Sequence, residues 1–255
     1  MAADSSRPKL LLLGGTTEAS ALARLLAADG RLDATLSLAG ATRAPRPQPI
    51  PTRIGGFGGA GGLAQHLRET GTRLLVDATH PFAARISANA AAAARLAGVT
   101  LLAVRRPPWV AGPGDCWVAV PDMQAAARAL GPLPRRVLLT VGRKELAPFA
   151  AAPGHRYLVR SVDPPPEALL PRGATVITAT GPFALEDERA LLRAHGIEAI
   201  VTKNSGGTAT AAKLGAAREL GVTVVMVARP AAPPEVEAVA TAEAAMRWVA
   251  RMAPA

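Results

Sequence analysis

Short apolar runs alternate with longer alanine-rich stretches along the whole chain, a pattern that predicts strand, loop and helix repeated in turn. The apolar runs predict strands over residues 10–13, 34–39, 74–76, 100–104, 137–141, 175–178, 199–202 and 222–227. The alanine-rich stretches predict helices over residues 19–28, 62–69, 83–96, 123–130, 184–194 and 209–220. Alternation of this kind implies parallel strands joined by right-handed helical crossovers, with the sheet covered on both faces. The expected fold class is α/β, with doubly wound parallel sheets. Proline-rich stretches at residues 44–51, 106–113 and 131–134 interrupt the pattern. The second reads as a hinge region, and the third, directly before a new strand, as a domain boundary. Two Rossmann-like domains are therefore expected, residues 8–131 and 132–255, facing a cleft. Ligands of such sheets bind beyond the carboxyl ends of the strands, where the strand order reverses.

Composition sharpens this picture. The 255 residues are 49% hydrophobic, enough for a substantial core. A formal charge of +10 favours an acidic ligand. Nucleic acid is a poor fit, because only 3% of residues are aromatic and no basic run exceeds Arg105-Arg106 or Arg135-Arg136. Cys116 is the only cysteine, which excludes an intrachain disulfide and a multi-cysteine zinc site; the histidines lack paired spacing, so no metal is expected. No stretch of about 20 residues runs without charge or glycine, and residues 1–9 are polar, so a cytoplasmic protein with no membrane partner is expected.

Two glycine-rich turns, Gly14-Gly15-Thr16-Thr17-Glu18 and Lys203-Asn204-Ser205-Gly206-Gly207-Thr208, each follow an apolar run and open a helical stretch. Unpaired N–H groups at a helix N-terminus, with glycine allowing close approach, suit a phosphate or carboxylate. The first turn lacks the G-x-G-x-x-G pattern but occupies its place, so it either holds a phosphate or ribose or is a tight turn capped by threonine. After the second predicted strand no acidic residue appears and Arg43 is near, which suits a 2′-phosphate and hence NADPH, or else Arg43 is a solvated loop residue. Arg53-Ile54-Gly55-Gly56-Phe57-Gly58-Gly59 forms a loop whose backbone can fold against a ligand. Asp77, Thr79 and His80 end a strand, with Pro81 expected to start the next helix. His80 either transfers a proton or supports its neighbours, while Asp77 and Thr79 either face the ligand or cap the helix. In the second half Gly142, Arg143, Lys203, Lys213 and Arg229 gather cations after strands, which argues for a shared anionic ligand.

In this order, Gly14-Gly15-Thr16 with Glu18, Ser37-Leu38-Ala39-Gly40, Gly55 to Gly59, Asp77 to Ala83, Arg106-Pro107 with Trp109, Gly142-Arg143, Gly181-Pro182-Phe183, Lys203 to Gly207 and Arg229-Pro230 are similar to the precorrin-6A reductase family, over nearly the whole chain. The resemblance implies hydride transfer from NADPH to one carbon of a conjugated tetrapyrrole in cobalamin biosynthesis, with a proton added at the adjacent carbon. It assigns Gly14, Gly15, Thr16, Glu18, Arg43, Gly55, Gly56, Phe57, Gly58, Asp77, Thr79, His80 and Pro81 to NADPH. It assigns Arg106, Trp109, Gly142, Arg143, Lys203, Asn204, Ser205, Gly206, Gly207, Lys213 and Arg229 to the carboxylates of the macrocycle. Lys203, His80 or ordered water supplies the proton. One departure stands out: the family often carries an arginine directly after the second strand, whereas here Ala41-Thr42 precede Arg43. The alternatives are a cobalt-containing form of the substrate, another small substrate, or a non-catalytic module for anions or nucleic acid. A monomer or weak homo-oligomer is expected.

Overall fold

A computed structural model of the chain describes residues 7–40, 46–152 and 154–253. It divides into two compact units, Met1–Pro107 with Pro230–Ala255, and Pro108–Arg229. Unit 1 opens with β1 (Lys9–Leu13), α1 (Thr17–Asp29), β2 (Asp33–Leu38), β3 (Thr52–Ile54), α2 (Gly59–Thr70), β4 (Thr72–Asp77), α3 (Ala84–Ala97) and β5 (Thr100–Val104). Unit 2 follows with β6 (Trp117–Val120), α4 (Met123–Ala129), β7 (Arg136–Leu139), α5 (Ala147–Ala150), β8 (Arg156–Ser161), β9 (Thr175–Thr178), α6 (Leu185–Ala194), β10 (Ala199–Lys203), α7 (Ala212–Leu220) and β11 (Thr223–Val227). The chain then returns to unit 1 with β12 (Glu237–Val239) and α8 (Ala242–Met252).

The unit 1 sheet has six strands in the order β12-β5-β4-β1-β2-β3, all paired in parallel. Its strand order reverses between β1 and β4, where this fold places its ligand. Four consecutive leucines in β1 satisfy both faces at once, because successive side chains of a strand point to opposite sides. Leu10 and Leu12 join Leu22, Leu26, Trp248 and Val249 of α1 and α8. Leu11 and Leu13 join Leu63, Leu67, Ala90 and Ala94 of α2 and α3. The unit 2 sheet repeats the plan in the order β6-β11-β10-β7-β8-β9, again parallel, with its reversal between β7 and β10.

The doubly wound α/β class is thus present in two copies, but the division of the chain differs from the expected one at residue 131. Residues 131–134 connect α4 to β7 inside unit 2, and the crossing falls instead within the proline-rich stretch at 106–113. The reason is long-range pairing. β6 lies beside β11, with Val224 opposite Trp117, and β12 lies beside β5, with Glu237 opposite Leu102. Each sheet therefore takes one edge strand from a part of the chain that local periodicity groups with the other half. Among the described residues no helix is long and apolar enough to cross a membrane.

Candidate active site

The turn between β1 and α1 is built from two glycines with different tasks. A Cβ on Gly14 would stand 2.5 Å from Leu36 Cδ1, so this position admits the close packing of β1 on β2. Gly15 has φ 115° and open space around its missing side chain, a conformation that favours glycine and leaves the turn accessible. Thr16 caps α1: its Oγ1 accepts from the Ala19 N–H at 3.1 Å and donates to the Ala78 carbonyl at 2.7 Å, tying the turn to the end of β4. Glu18, in the first turn of α1, is paired with Arg106 at 2.6 Å. Residues assigned by resemblance to cofactor and to substrate therefore meet within unit 1.

A second helix N-terminus opens beside it. Gly58, the residue before α2, has φ 78° and supplies no side-chain cap, and Gly55 and Gly59 also have positive φ, at 127° and 94°. A Cβ at Gly62 would fall 1.7 Å from the Phe57 carbonyl oxygen, so the loop folds directly onto the helix only because that side chain is missing. Arg53, on β3, organises the loop: its guanidinium donates to Ser37 Oγ at 2.8 Å, to the Gly55 carbonyl at 3.0 Å and to the Gly56 carbonyl at 3.2 Å, and lies 4.0 Å from the centre of the Phe57 ring. Arg53 is a cation at the carboxyl ends of β2 and β3; the sequence marks it as the start of the glycine-rich segment, and the structure adds its contacts. Arg43 lies outside the described residues. An open cavity of about 350 Å³ borders this edge, lined by Leu38, Arg46, Pro47, Gln48, Ile50, Thr52 and Ile54.

At the end of β4, Asp77 is 2% exposed and its carboxylate accepts from the Thr79 N–H at 3.0 Å, from Thr79 Oγ1 at 2.6 Å and from the Arg105 guanidinium. Arg105 also donates to the Asp77 carbonyl at 3.0 Å and to Ser87 Oγ at 2.9 Å. Asp77 and Thr79, expected at the cofactor, are placed beneath the loop that carries His80. Burial pushes the Asp77 carboxyl up, but the Arg105 charge and the hydrogen bonds from Arg105, Thr79 and Ser87 outweigh it and hold the group below the ordinary carboxylate range. A carboxyl lowered in the folded state adds stability above its unfolded pKa of about 3.9 and loses it as pH falls through the folded value. Asp77→Asn is thus expected to cost about 1–3 kcal/mol at pH 7, with the gap to wild type shrinking below pH 4. Chemical denaturation across pH 2–7 checks this. His80 accepts from the Phe82 N–H at Nδ1, 3.2 Å away, so its neutral ring carries the proton on Nε2. Pro81 does not start a helix as expected; a turn closed by the Ala83 N–H on the His80 carbonyl intervenes, and α3 begins at Ala84.

In unit 2 the ends of β7 and β10 come together. Lys203, the last residue of β10, holds its Nζ 2.9 Å from both carboxylate oxygens of Glu145. Glu145 closes the 3-10 turn Arg143–Glu145 and accepts from the Gly142 N–H at 2.7 Å, so one carboxylate joins the Gly142-Arg143 loop to Lys203. After Lys203 the chain passes through buried Ser205 into Gly206 and Gly207, with φ 66° and 79°. Arg143, in the turn that Glu145 closes, is exposed. Trp109, Asn204, Lys213 and Arg229, also expected at the substrate, make hydrogen bonds within unit 2. Trp109 donates its indole N–H to the Gly207 carbonyl at 2.9 Å, Asn204 pairs with the Trp109 backbone, and Arg229 Nε donates to the Asn204 carbonyl at 2.7 Å. Lys213 is 2% exposed and donates to the Thr210 carbonyl at 2.7 Å. Burial first, and the Arg160 charge second, bring its amine down to about 7 against the opposing pull of Glu188. These four residues support the loop from within. Glu145 is not among the residues that the sequence pattern marks; its signal is the spacing Gly142-x-x-Glu145, which returns an acceptor to its own turn.

The two units define a protein of the two-domain Rossmann type, with glycine-lined helix N-termini in one unit and a lysine-headed glycine turn in the other. The family model for precorrin-6x reductase CbiJ/CobK matches residues 9–250. The chain is 54% identical over 250 residues to a precorrin-6A reductase of Sinorhizobium sp., covering 98% of this chain and 95% of that protein. A solved structure of CobK precorrin-6A reductase superposes with a TM-score of 0.91 at 50% identity, covering 96% of both chains. A cobalt-precorrin-6A reductase of Synechocystis is 32% identical over 231 residues, covering 86% of this chain and 87% of that protein. The chain belongs to the precorrin-6x reductase family.

Proposed function

We propose that this chain reduces precorrin-6A in cobalamin biosynthesis, with NADPH as the reductant held by unit 1 and the tetrapyrrole carboxylates held by unit 2. The observation that carries the division is the contrast between the two strand ends: open, glycine-lined helix N-termini with Arg53 in unit 1, and Lys203 beside the Gly206-Gly207 turn in unit 2. The higher identity to a precorrin-6A reductase than to a cobalt-precorrin-6A reductase favours the metal-free substrate.

The residues of unit 1 fit a dinucleotide. Gly15 leaves room against the backbone, the N-terminus of α1 faces the reversal point, and α2 has no side-chain cap of its own. Arg53 answers a 2′-phosphate, since a carboxylate is missing from the end of β2. Arg53→Met is expected to lower the ratio of kcat/KM with NADPH to that with NADH by about 10- to 100-fold, the worth of one or two hydrogen bonds to a charged group. An unaltered ratio would remove Arg53 from the cofactor site.

Bound there, NADPH supplies a hydride. The chain's own part is to orient, to neutralise the substrate's carboxylates, and to deliver one proton to the carbon next to the one reduced. Lys203 can give that proton from its ammonium, and His80 from Nε2. No covalent intermediate is required. The test of the reaction is isotopic: turnover with NADPH deuterated at the transferred position places one deuterium in the macrocycle, and turnover in D2O places another on the adjacent carbon. Solvent deuterium at both carbons would exclude direct hydride transfer.

A further inference from the structure

Unit 2 begins at Pro108 and ends at Arg229, and the chain near both of these ends is fastened to Asn204. The side-chain amide of Asn204 lies against the Trp109 peptide groups in matched fashion, Oδ1 accepting from the Trp109 N–H at 2.7 Å and Nδ2 donating to the Trp109 carbonyl at 2.9 Å. Its backbone N–H donates to the Val227 carbonyl at 2.9 Å, and its carbonyl accepts from Arg229 Nε at 2.7 Å. Trp109, so held, reaches forward with its indole N–H to the Gly207 carbonyl at 2.9 Å, and its ring lies 5.0 Å from Lys213 Nζ.

This chemistry requires asparagine. Aspartate has no donor for the Trp109 carbonyl, and the partners fix which way the amide faces. The two glycines it controls are the residues least able to hold one conformation unaided, because glycine populates both signs of φ. A loop fixed before its ligand arrives is spared the ordering cost at binding. We propose that Asn204 is a positioning residue for the substrate: through Trp109 it holds Gly206 and Gly207 in the conformation that presents their N–H groups to a tetrapyrrole carboxylate, without touching the macrocycle itself. This rests on the reading of that turn as the substrate's carboxylate site.

The test compares wild type with Asn204→Ala and Trp109→Phe in anaerobic steady-state assays with precorrin-6A, alongside NADPH binding and tryptophan emission. Asn204→Ala is expected to raise KM for precorrin-6A by about 10-fold, with kcat and NADPH affinity within about twofold, and to shift emission to longer wavelength. Trp109→Phe keeps the backbone pair with Asn204 and loses only the bond to Gly207, so a KM rise of about threefold is expected. A merely structural role would lower the active fraction and leave KM alone. A wild-type KM in folded Asn204→Ala overturns the proposal; if that variant does not fold, an unchanged KM in Trp109→Phe does so. Wild-type protein that fails to turn over precorrin-6A overturns the functional reading instead.

Discussion

Lys203→Met is expected to weaken tetrapyrrole binding by about 100-fold and to leave NADPH binding within about twofold of wild type. The magnitude follows from the loss of one charge-assisted contact in a partly buried site, about 2–5 kcal/mol when a partner is left behind. The partner left behind is Glu145, which meets the Lys203 ammonium with both oxygens at 2.9 Å. Without the lysine that carboxylate faces an anionic substrate. Glu145→Gln added to Lys203→Met is therefore expected to recover part of the lost affinity, and the coupling appears in a double-mutant cycle. Titration of each ligand against each variant makes the comparison. Unchanged steady-state constants in Lys203→Met would remove the residue from the substrate site.

Arg160→Met is expected to destabilise the protein by about 3–5 kcal/mol, a large share of the 5–15 kcal/mol typical of a folded domain. Arg160 on β8 donates to Glu188 on α6 at 2.8 Å, and their side chains are 7% and 1% exposed. Removing the guanidinium strands a buried carboxylate whose Oε2 has no hydrogen-bond partner, and it also ends the stacking of Arg160 on Phe183, 4.1 Å from ring centre to Cζ. Lys213 modulates the loss. Arg160 helps to hold the Lys213 amine down near 7, so in the variant Lys213 takes up a proton more readily and offsets part of the charge on Glu188. The destabilisation should accordingly be smaller at pH 6 than at pH 9. Replacing both members, as Arg160→Met with Glu188→Leu, should cost much less than either change alone. Denaturant unfolding at the two pH values checks both statements, and additive losses in the double variant would contradict the account.

What sequence pattern could reveal here was whatever is local. The leucine run of β1, the alanine-rich crossovers and the glycine turns after β1 and β10 announce themselves within a few residues, and all lie where the α/β pattern put them. The short strands did not: β3 and β12 have three residues each, too few for a period to show. β8 mixes arginine into its run, because Arg160 is buried through its partner and not through its own polarity. The edge strands β6 and β12 are set by pairing across the chain, so composition marks the proline-rich crossing at 106–113 as a hinge but not which strands belong to each unit.

The same limit governed the site. Gly15, Lys203 and the Gly206-Gly207 turn are legible as residue types after a predicted strand, and Gly58 as part of a glycine cluster before a helix. Which side chains remain for a ligand was not, because partners come from far away in the sequence. Glu18 meets Arg106 across 88 positions, and Lys203 meets Glu145 across 58. Asp77, Trp109, Asn204 and Lys213 carry the types expected of ligand contacts, and each also makes hydrogen bonds that shape the loops, which their types alone do not announce. The tight backbone contact at Gly62 and the placement of Arg53 against Phe57 likewise emerge only in three dimensions.

On the function proposed above, one chain couples NADPH oxidation to reduction of precorrin-6A. The most direct measurement is anaerobic incubation of the purified protein with precorrin-6A, following NADPH absorbance and the macrocycle spectrum in the same cuvette, with NADH and the cobalt-containing substrate in parallel. Loss of one NADPH for each macrocycle converted is expected, with turnover faster with NADPH than with NADH and faster with the metal-free substrate. NADPH that binds while neither macrocycle changes would contradict it.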